Sequence, residues 1–361
     1  MWDTIYQGKR VFLTGHNSFK GSWMSLWLRS IGAEVTGYAI EPPTQPNHFD
    51  LLKLDLPATH GDLRDFEVLR KAMRDAQPDI VFHMAAQSSV LESYRRPLET
   101  FATNVMGTAH VLEAAREVPS LRAVVIVTTD KCYENHEWVW GYRETDALGG
   151  HDPYSSSKAL AELAVASYRR SFFPVAHYGS AHQVLLATVR SGNIVGGGDW
   201  KEDRIVPDVM RAVTQGRKTL IRNPESTRPW QHVLEPVNAY LLLGKYLIEG
   251  RKEFSGAWNF GPADDANRTV LEVVQELQKS WPQIDFEIQH PRQTTHEAKL
   301  LKLDCSKARA ALGWRAVWSF ADTMKRTAEW YREYHQDRAV ISSRQLAEFK
   351  RELETDTAVP R

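Results

Sequence analysis

Disulfide bonds cannot organise this chain, because its 361 residues include only two cysteines, Cys132 and Cys305. Long apolar runs are also missing, and the first residues, MWDTIYQGKR, lack the apolar core of a signal peptide. Neither sign of charge is in excess, since Lys and Arg together number 45 and Asp and Glu also number 45. These absences argue against a disulfide-stapled secreted domain, a membrane-spanning protein and a nucleic-acid-binding protein. We therefore expect a cytoplasmic protein with neither nucleic acid nor membrane as its partner.

Apolar runs of strand length alternate with amphipathic stretches through the first half of the chain. The predicted strands are Val11–Thr14, Glu34–Ile40, Ile80–Met84, Ala123–Thr128 and Val184–Arg190, with helices at Ser22–Ser30, Leu98–Arg116 and Tyr154–Arg170. This alternation predicts an α/β fold with a Rossmann-type doubly wound parallel sheet. After Gly192 the pattern becomes less regular, although Val237–Ile248 is typical of a helix and Ala257–Phe260 of one more strand of the sheet. We expect a Rossmann domain of residues 1–192 plus about 232–262, a smaller mixed C-terminal domain of residues 193–231 and 263–350, and a frayed polar tail of residues 351–361.

The segment TGHNSFKG, Thr14–Gly21, follows the first predicted strand and opens a helix. Backbone N–H groups and the helix dipole at such a turn can hold a pyrophosphate. Ser18 stands where glycine would allow the closest approach, but serine can cap the helix instead. About 20 residues beyond Gly21, Glu41 is placed to bind a ribose 2′-hydroxyl and disfavours a 2′-phosphate, so NAD is favoured over NADP. The predicted cofactor-binding residues are Gly15, Asn17, Ser18, Phe19, Lys20, Gly21, Glu41, Asp62, Leu63, Met84, Ala85, Ala86, Gln87, Asn104 (equally a structural hydrogen-bonding residue), Tyr154 and Lys158.

Two polar groups follow predicted strands and have the composition of a reactive site. Tyr154 and Lys158 lie four residues apart, which places them on one helix face. A phenol has a pKa near 10, and a neighbouring ammonium lowers that pKa by favouring the anion. Thr129, Asp130 and Lys131 end an apolar run, where open α/β sheets bind their ligands. Alone, either group could be a solvated surface, and only its position after a strand favours a site.

These motifs resemble the extended short-chain dehydrogenase/reductases, and the similarity extends over nearly the whole chain. It is carried by VFLTGHNSFKGSWMSLWL, VFHMAAQ, NVMGT, TTDKCYENHEWVWGYRE, GGHDPYSSSKALAEL, RSGNIVGGGDW, RIVPDVMRA, IRNPESTRPWQHVLEP, WNFGP and LKLDCSKA. Three segments, TDKCY with EWVWGYRE, GGGDW and RPWQHVLEP, are similar to the branch that dehydrates CDP-D-glucose. The departures from that pattern are Ser18 for Gly, Ser88-Ser89 for Pro-Leu, and Ser156 for Asn.

The resemblance implies that CDP-D-glucose is converted to CDP-4-keto-6-deoxy-D-glucose and water, a step of deoxysugar biosynthesis that uses tightly bound NAD. Tyr154 would take the proton of the sugar 4-hydroxyl, with Lys158 close by. Thr129 would form a hydrogen bond with the sugar 4-oxygen beside Tyr154. Asp130 would protonate the departing 6-hydroxyl, and Lys131 would remove the C5 proton, directly or through a water. Related dTDP-glucose enzymes carry glutamate at the position of Lys131.

The resemblance also implies the residues that bind substrate and the state of assembly. The predicted substrate-binding residues are Ser88, Asn193, Arg204, Arg228 and His296. No pair of the 13 histidines has convincing metal spacing, so we expect no metal. The family implies a homodimer or a dimer of dimers, with the helices predicted at Leu98–Arg116 and Tyr154–Arg170 in the interface.

Two other functions fit parts of the same sequence. A nucleotide-sugar 4-epimerase would use Tyr154 and Lys158 but would leave Asp130 and Lys131 without a task. A non-catalytic NAD-binding sensor would need only the glycine-rich turn, and in it the tyrosine–lysine pair would be surplus.

Overall fold

The computed structural model describes residues 2–262, 266–289 and 300–358. Its strands are β1 (Arg10–Thr14), β2 (Glu34–Ala39), β3 (Ala58–His60), β4 (Ile80–His83), β5 (Ala123–Val127), β6 (Leu185–Ser191), β7 (Asn193–Val195), β8 (Thr219–Ile221), β9 (Thr227–His232), β10 (Gly256–Phe260), β11 (Asn267–Thr269) and β12 (Phe286–Ile288). Its helices are α1 (Phe19–Ser30), α2 (His48–Leu52), α3 (Phe66–Ala76), α4 (Val90–Arg95), α5 (Pro97–Phe101), α6 (Gly107–Ala115), α7 (Pro153–Ser171), α8 (Ile205–Thr214), α9 (Leu234–Ile248), α10 (Val270–Ser280), α11 (Ser306–Leu312), α12 (Phe320–Asp337) and α13 (Ser342–Ala358).

Seven strands form one parallel sheet in the order β3-β2-β1-β4-β5-β6-β10. The direction of winding reverses between β1 and β4, and this switch point opens a crevice at the carboxyl ends of the strands. The predicted doubly wound sheet is therefore confirmed. The strand predicted at Ala257–Phe260 is also confirmed, because β10 pairs with β6 at the edge of the sheet.

Helices cover both faces of the sheet. Because successive side chains of a strand point to opposite sides, one strand can contribute to both cores. In β1, Val11 and Leu13 pack in a core with α1 and α9, whereas Phe12 packs in a second core with α3, α6 and α7. All five residues of β5, AVVIV, are buried, as expected for a central parallel strand. The predicted helices at Ser22–Ser30, Tyr154–Arg170 and Val237–Ile248 lie within α1, α7 and α9.

The helical structure predicted over Leu98–Arg116 is confirmed from Leu98 to Ala115, although it is not one regular α-helix. The structure has α5 and α6 joined by a π-helical turn at Ala102–Met106. Such a turn inserts an extra residue into the helix and redirects the side chains within it. Here it carries Asn104, which is buried and makes three hydrogen bonds described below.

Within the described residues, five strands after residue 192 lie outside the large sheet. They form a three-stranded sheet, β11-β9-β7, and a two-stranded sheet, β12-β8. Aromatic rings connect β9 to the large sheet, since Trp23 of α1 packs edge-on against His232 of β9 with ring centres 5.8 Å apart. Trp23 also donates to the Gly197 carbonyl at 2.9 Å. The division of the chain into domains at the predicted boundaries stays a prediction.

The prediction of a frayed tail from residue 351 is wrong for residues 351–358, because α13 continues to Ala358. Glu352 explains part of this order. Its carboxylate accepts hydrogen bonds from the Trp318 indole at 2.9 Å and from Arg326 at 3.1 Å, both from the segment that contains α12. Across the described parts of the chain, every helix is too short or too polar to cross a membrane.

Candidate active site

A cavity of about 2050 Å³ lies at the carboxyl ends of the strands of the large sheet. Its lining comes from the glycine-rich turn, the ends of β2, β4, β5 and β6, and the irregular segments after residue 192. All predicted site residues among the described ones line this cavity, except Gly21 and Asn104. His296 lies outside the described residues.

The glycine-rich turn brings the backbone of β1 and α1 against the end of β4. Gly15 has φ +71°, and a Cβ there would lie 2.8 Å from the Ala85 amide nitrogen. A Cβ on Gly21 would lie 2.0 Å from the Gly15 carbonyl oxygen. Gly21 therefore acts through close packing of α1 rather than by lining the cavity. Ser18 caps α1, as its side chain accepts a 3.1 Å hydrogen bond from the Gly21 amide.

The ends of β2 and β3 supply two acidic groups to the cavity. The side chain of Glu41 is 84% exposed, and its carboxylate lies 3.3 Å from Nδ1 of His60. Asp62 accepts hydrogen bonds from Arg64 at 2.6 and 3.0 Å, which hold the pKa of Asp62 below its usual range. The sequence reasoning missed Arg64, although its position two residues after Asp62 was a usable signal.

Asn104 supports the cavity wall from behind. Its side-chain oxygen accepts from the Gln87 amide at 2.9 Å, and its Nδ2 donates to the Gln87 carbonyl at 2.9 Å and to Ser157 at 2.8 Å. This geometry favours a structural role for Asn104 over direct binding of the cofactor. Gln87 itself remains on the cavity surface.

Tyr154 and Lys158 lie in the first two turns of α7. Asp152 caps this helix by accepting from the Ser155 amide, and Pro153 occupies the first helical position, where its missing N–H has no cost. Lys158 donates to the Val127 carbonyl at 3.1 Å. Burial lowers the pKa of Lys158 to about 8, although the nearby Glu162 acts in the opposite direction. Burial also raises the pKa of Tyr154 to about 12, while a hydrogen bond with Thr129 lowers it.

Thr129, Asp130 and Lys131 lie at the end of β5, where Asp130–Cys132 forms a 3₁₀ turn. The Thr129 hydroxyl donates to Asp130 Oδ1 at 3.0 Å, and Lys131 Nζ lies 3.6 Å from the same oxygen. Asp130 is 1% exposed, and its Oδ2 has no hydrogen-bond partner among the described residues. A buried carboxylate oxygen in this state is suited to bind or protonate a ligand that enters the cavity.

Several cationic groups from the segments after residue 192 line the cavity. Lys201 Nζ donates to the Ser88 hydroxyl at 3.0 Å, and Arg204 donates to Asp199 at 2.7 Å. Arg228 is buried, and Asn193 begins β7. Lys201 was missed, because an isolated lysine in an irregular segment carries no pattern that distinguishes it from a surface charge.

A further buried group connects the glycine-rich turn with α9. Lys20 Nζ lies 3.4 Å from the Tyr240 hydroxyl, which in turn lies 2.7 Å from the Ser191 hydroxyl. Burial lowers the pKa of Lys20 to about 7, and the charges of Lys158 and Arg204 lower it further. Within the described ranges, no group of three or more His, Cys, Asp or Glu side chains is arranged to hold a metal ion.

Comparisons with known proteins assign this arrangement to a family. The model of a family described as GDP-mannose 4,6 dehydratase matches residues 12–327. The chain belongs to this dehydratase family. It is 48% identical over 349 residues to a CDP-glucose 4,6-dehydratase of Salmonella typhimurium, and the match covers 96% of this chain and 97% of that one. The membership predicted from the motifs is thereby confirmed.

Solved structures of the dehydratase family and its neighbours have the same fold. A dTDP-glucose 4,6-dehydratase of Streptomyces venezuelae, solved with NAD bound, superposes with a TM-score of 0.75 at 26% identity, over 90% of this chain and 97% of that one. A UDP-glucose 4-epimerase of Thermus thermophilus in complex with NAD gives a TM-score of 0.77 at 24% identity, over 90% and 99% of the two chains. Because dehydratases and epimerases share this fold, the choice between the two reactions depends on the site residues.

Proposed function

We propose that this chain removes water from CDP-D-glucose and forms CDP-4-keto-6-deoxy-D-glucose, with NAD as its tightly bound cofactor. The observation that carries the dehydration is the buried Asp130, whose Oδ2 has no partner among the described residues and lines the same cavity as Tyr154. An epimerase requires the tyrosine but no acid for a leaving hydroxyl. The nucleotide is inferred from the Salmonella relative, which is named for CDP-glucose.

The residues of the glycine-rich turn fit NAD. The turn opens α1, a helix of 12 residues, onto the cavity, so the positive end of the helix dipole can face a pyrophosphate. The exposed carboxylate of Glu41 at the end of β2 suits a ribose diol. When bound, NAD supplies a hydride acceptor for C4 and later a hydride donor for C6, and its positive ring favours the Tyr154 phenolate.

Tyr154 acts as the base that takes the proton from the sugar 4-hydroxyl. Because burial raises its pKa to about 12, the phenolate needs cationic neighbours. The charge of Arg204 lowers the Tyr154 pKa, and α7 provides Lys158 one turn along the helix. The Val127 carbonyl holds the Lys158 ammonium in place. Thr129 donates a hydrogen bond to the 4-oxygen as the carbonyl forms.

Asp130 and Lys131 carry out the elimination from the 4-keto sugar. Lys131 removes the C5 proton, which the adjacent carbonyl acidifies, and Asp130 donates a proton to the C6 hydroxyl so that it leaves as water. The Lys131 side chain is 30% exposed, so it can exchange its proton with solvent between turnovers. In the resting site, Lys131 Nζ lies 3.6 Å from Asp130 Oδ1, so transfer of the ammonium proton to the carboxylate gives the neutral amine and the carboxylic acid that the elimination requires.

The cations across the cavity bind the nucleotide diphosphate. Arg204 and Arg228 present planar guanidinium groups that suit phosphate oxygens, and Ser88 and Asn193 offer hydrogen bonds to the sugar. We add Lys201 to this set because its ammonium already contacts Ser88 across the cavity. All except Ser88 follow residue 192, within the smaller domain that we propose for residues 193–231 and 263–350.

The protein forms a homodimer or a dimer of dimers through α5, α6 and α7. These neighbouring helices expose four large apolar side chains, namely Leu98 (83%), Leu163 (54%), Met106 (51%) and Leu160 (42%). Exposed apolar side chains clustered on adjacent helices are typical of protein–protein interfaces. The Leu163→Glu variant should shift the molar mass measured by light scattering toward the monomer. The two free, buried cysteines agree with the cytoplasmic location included in this proposal.

The reaction is tested by incubating the purified protein with NAD and CDP-D-glucose and measuring the product by mass spectrometry. Loss of one water supports the dehydratase. An unchanged mass with a new C4 configuration in the proton NMR spectrum would establish the epimerase instead. Parallel incubations with UDP-glucose and dTDP-glucose test the nucleotide, and a faster reaction with either would contradict the choice of CDP.

A further inference from the structure

A buried ion pair that none of the proposed catalytic steps uses lies directly beneath the active site. Glu162 of α7 and Arg190 of β6 are each 3% exposed, and their closest contact is 2.8 Å. Arg190 holds the pKa of Glu162 below its usual range, against the effect of burial, so the pair is ionic. Every oxygen of Glu162 is engaged: Oε1 accepts from Thr128 at 2.5 Å and from Arg190 at 3.0 Å, and Oε2 accepts from Thr188 at 2.7 Å and from Arg190 at 2.8 Å.

The same ion pair contacts both residues that flank the segment of residues 129–132. Thr128, which precedes this segment, donates to Glu162. Tyr133, which follows it, accepts a 2.7 Å hydrogen bond from Arg190 and donates to Asn259 at 2.7 Å. Arg190 also lies over the Tyr133 ring, 4.9 Å from its centre. The two ends of the segment are therefore tied to one charged group that bridges α7 and β6.

We propose that Glu162 and Arg190 are positioning residues that hold Thr129, Asp130 and Lys131 in the geometry required for elimination, through Thr128 at one end and Tyr133 at the other. This inference rests on the proposed function, since it assigns the task of the segment to the loss of water. The segment needs such support because its internal contacts are few. It forms a single 3₁₀ turn of three residues, and among the described residues the Asp130 carboxylate accepts at hydrogen-bond distance from one side chain, Thr129.

The ion pair also lies in the right place to coordinate the two halves of the reaction. Glu162 is four residues beyond Lys158 on the same face of α7. Its negative charge favours the protonated form of Lys158, whose pKa is lowered by burial. One side chain thus contacts the residue before the elimination segment and influences the charge of the redox pair.

Direct removal of either charge would leave the other buried and unpaired, and could unfold the protein. The test therefore uses Thr128→Val and Tyr133→Phe. Each variant removes hydrogen bonds of a residue that flanks the segment, including its bond to the Glu162–Arg190 pair, without removing a charge. Thr188→Val is the matched control, because it removes a hydrogen bond from the same Glu162 carboxylate at a residue within β6. Each variant is measured for kcat, KM, transient NADH absorbance, thermal midpoint and hydrogen exchange of the peptide that covers residues 128–133.

In Thr128→Val and Tyr133→Phe, we expect kcat to fall about tenfold or more at nearly unchanged KM, because small displacements of catalytic groups cost this much. C4 oxidation should persist, so NADH should accumulate transiently, and the segment should exchange faster. Thr188→Val should stay within about twofold of the wild type. Equal effects in all three variants, or a loss that follows the thermal midpoint without NADH accumulation, would overturn the proposal. If the wild type itself gave no dehydrated product, the proposed function would fail, whereas the exchange experiment would still decide whether the pair holds the segment.

Discussion

Tyr154 and Lys158 lie one turn apart on α7, whereas Asp130 and Lys131 lie in a 3₁₀ turn of three residues after β5. The spacing of the first pair follows from the geometry of any α-helix. The second pair depends on its flanking residues, because Thr128 contacts Glu162 from 34 positions away and Tyr133 contacts Arg190 from 57 positions away. The redox half of the site is thus fixed locally, and the elimination half is fixed by tertiary structure. Variants that separate the two halves test this difference.

The largest effect is expected for Tyr154→Phe, which removes the proposed base on which both halves depend. Proton transfer of this kind contributes about 10²–10⁴-fold, and no water can be lost before C4 is oxidised, so kcat should fall by about 10³ without an NADH transient. Tyr168→Phe is the matched control on the same helix, since the Tyr168 hydroxyl contacts Glu113 outside the cavity. Full activity of Tyr154→Phe would contradict the role of Tyr154 as the base in C4 oxidation.

Asp130→Asn should separate the halves most clearly. The amide keeps the shape of the carboxyl group but cannot protonate the leaving hydroxyl, so dehydration should slow by about 10²–10³. Oxidation at C4 should continue, and stopped-flow absorbance should show NADH accumulating before any product appears. Dehydration at the wild-type rate would contradict the role of Asp130 as the acid.

The same contrast explains how far the sequence alone could lead. The positions of the glycine-rich turn, Glu41 and the Tyr154–Lys158 pair in the cavity could be predicted, because each depends on neighbouring residues and on its place after a strand. Ser18 could be recognised as a helix cap for the same reason. These elements belong to the large sheet, whose strands have apolar residues on both faces.

The remaining contacts had no local pattern. Lys201 reaches Ser88 across 113 positions of the sequence, and Tyr240 lies beside Lys20 from 220 positions away. The π-helical turn at Ala102–Met106 was missed because the apolar pattern through it resembles that of an ordinary helix. The turn buries Asn104 behind Gln87. Asn104 contacts Gln87, which follows β4, and Ser157 of α7, and only the folded chain brings these residues together.

Lys131→Met tests the less constrained member of the elimination half. Without the amine, removal of the C5 proton should slow by about 10–10²-fold, whereas C4 oxidation should be preserved. The measurement is the rate of dehydration together with deuterium incorporation at C5 in heavy water. Lys71→Met is the control, because Lys71 forms an exposed pair with Asp75 on α3. If both variants matched the wild type, a group other than Lys131 would have to be the base.

The smallest expected effect is a pH dependence confined to the redox half. Of the two protons on Tyr154 and Lys158, the first leaves near the pKa of Lys158, which burial lowers to about 8. The reactive form has a Tyr154 phenolate and a Lys158 ammonium, so the pair has lost one of its two protons. At any pH, this form is the same fraction of the molecules whose pair has lost one proton. The oxidation rate should therefore rise with pH, by up to about tenfold per unit below pH 8, and then level off.

Asp130→Asn isolates this step, because its NADH signal reports oxidation without the subsequent loss of water. Bound NAD should move the midpoint below pH 8, since its positive ring favours loss of the proton, and higher salt should change it little because the pair is buried. A rate that instead fell as the pH rose through 8 would mean that Tyr154 is already ionised and that only the loss of the Lys158 charge is observed. In that case, a further group besides the Lys158 ammonium would have to stabilise the Tyr154 phenolate.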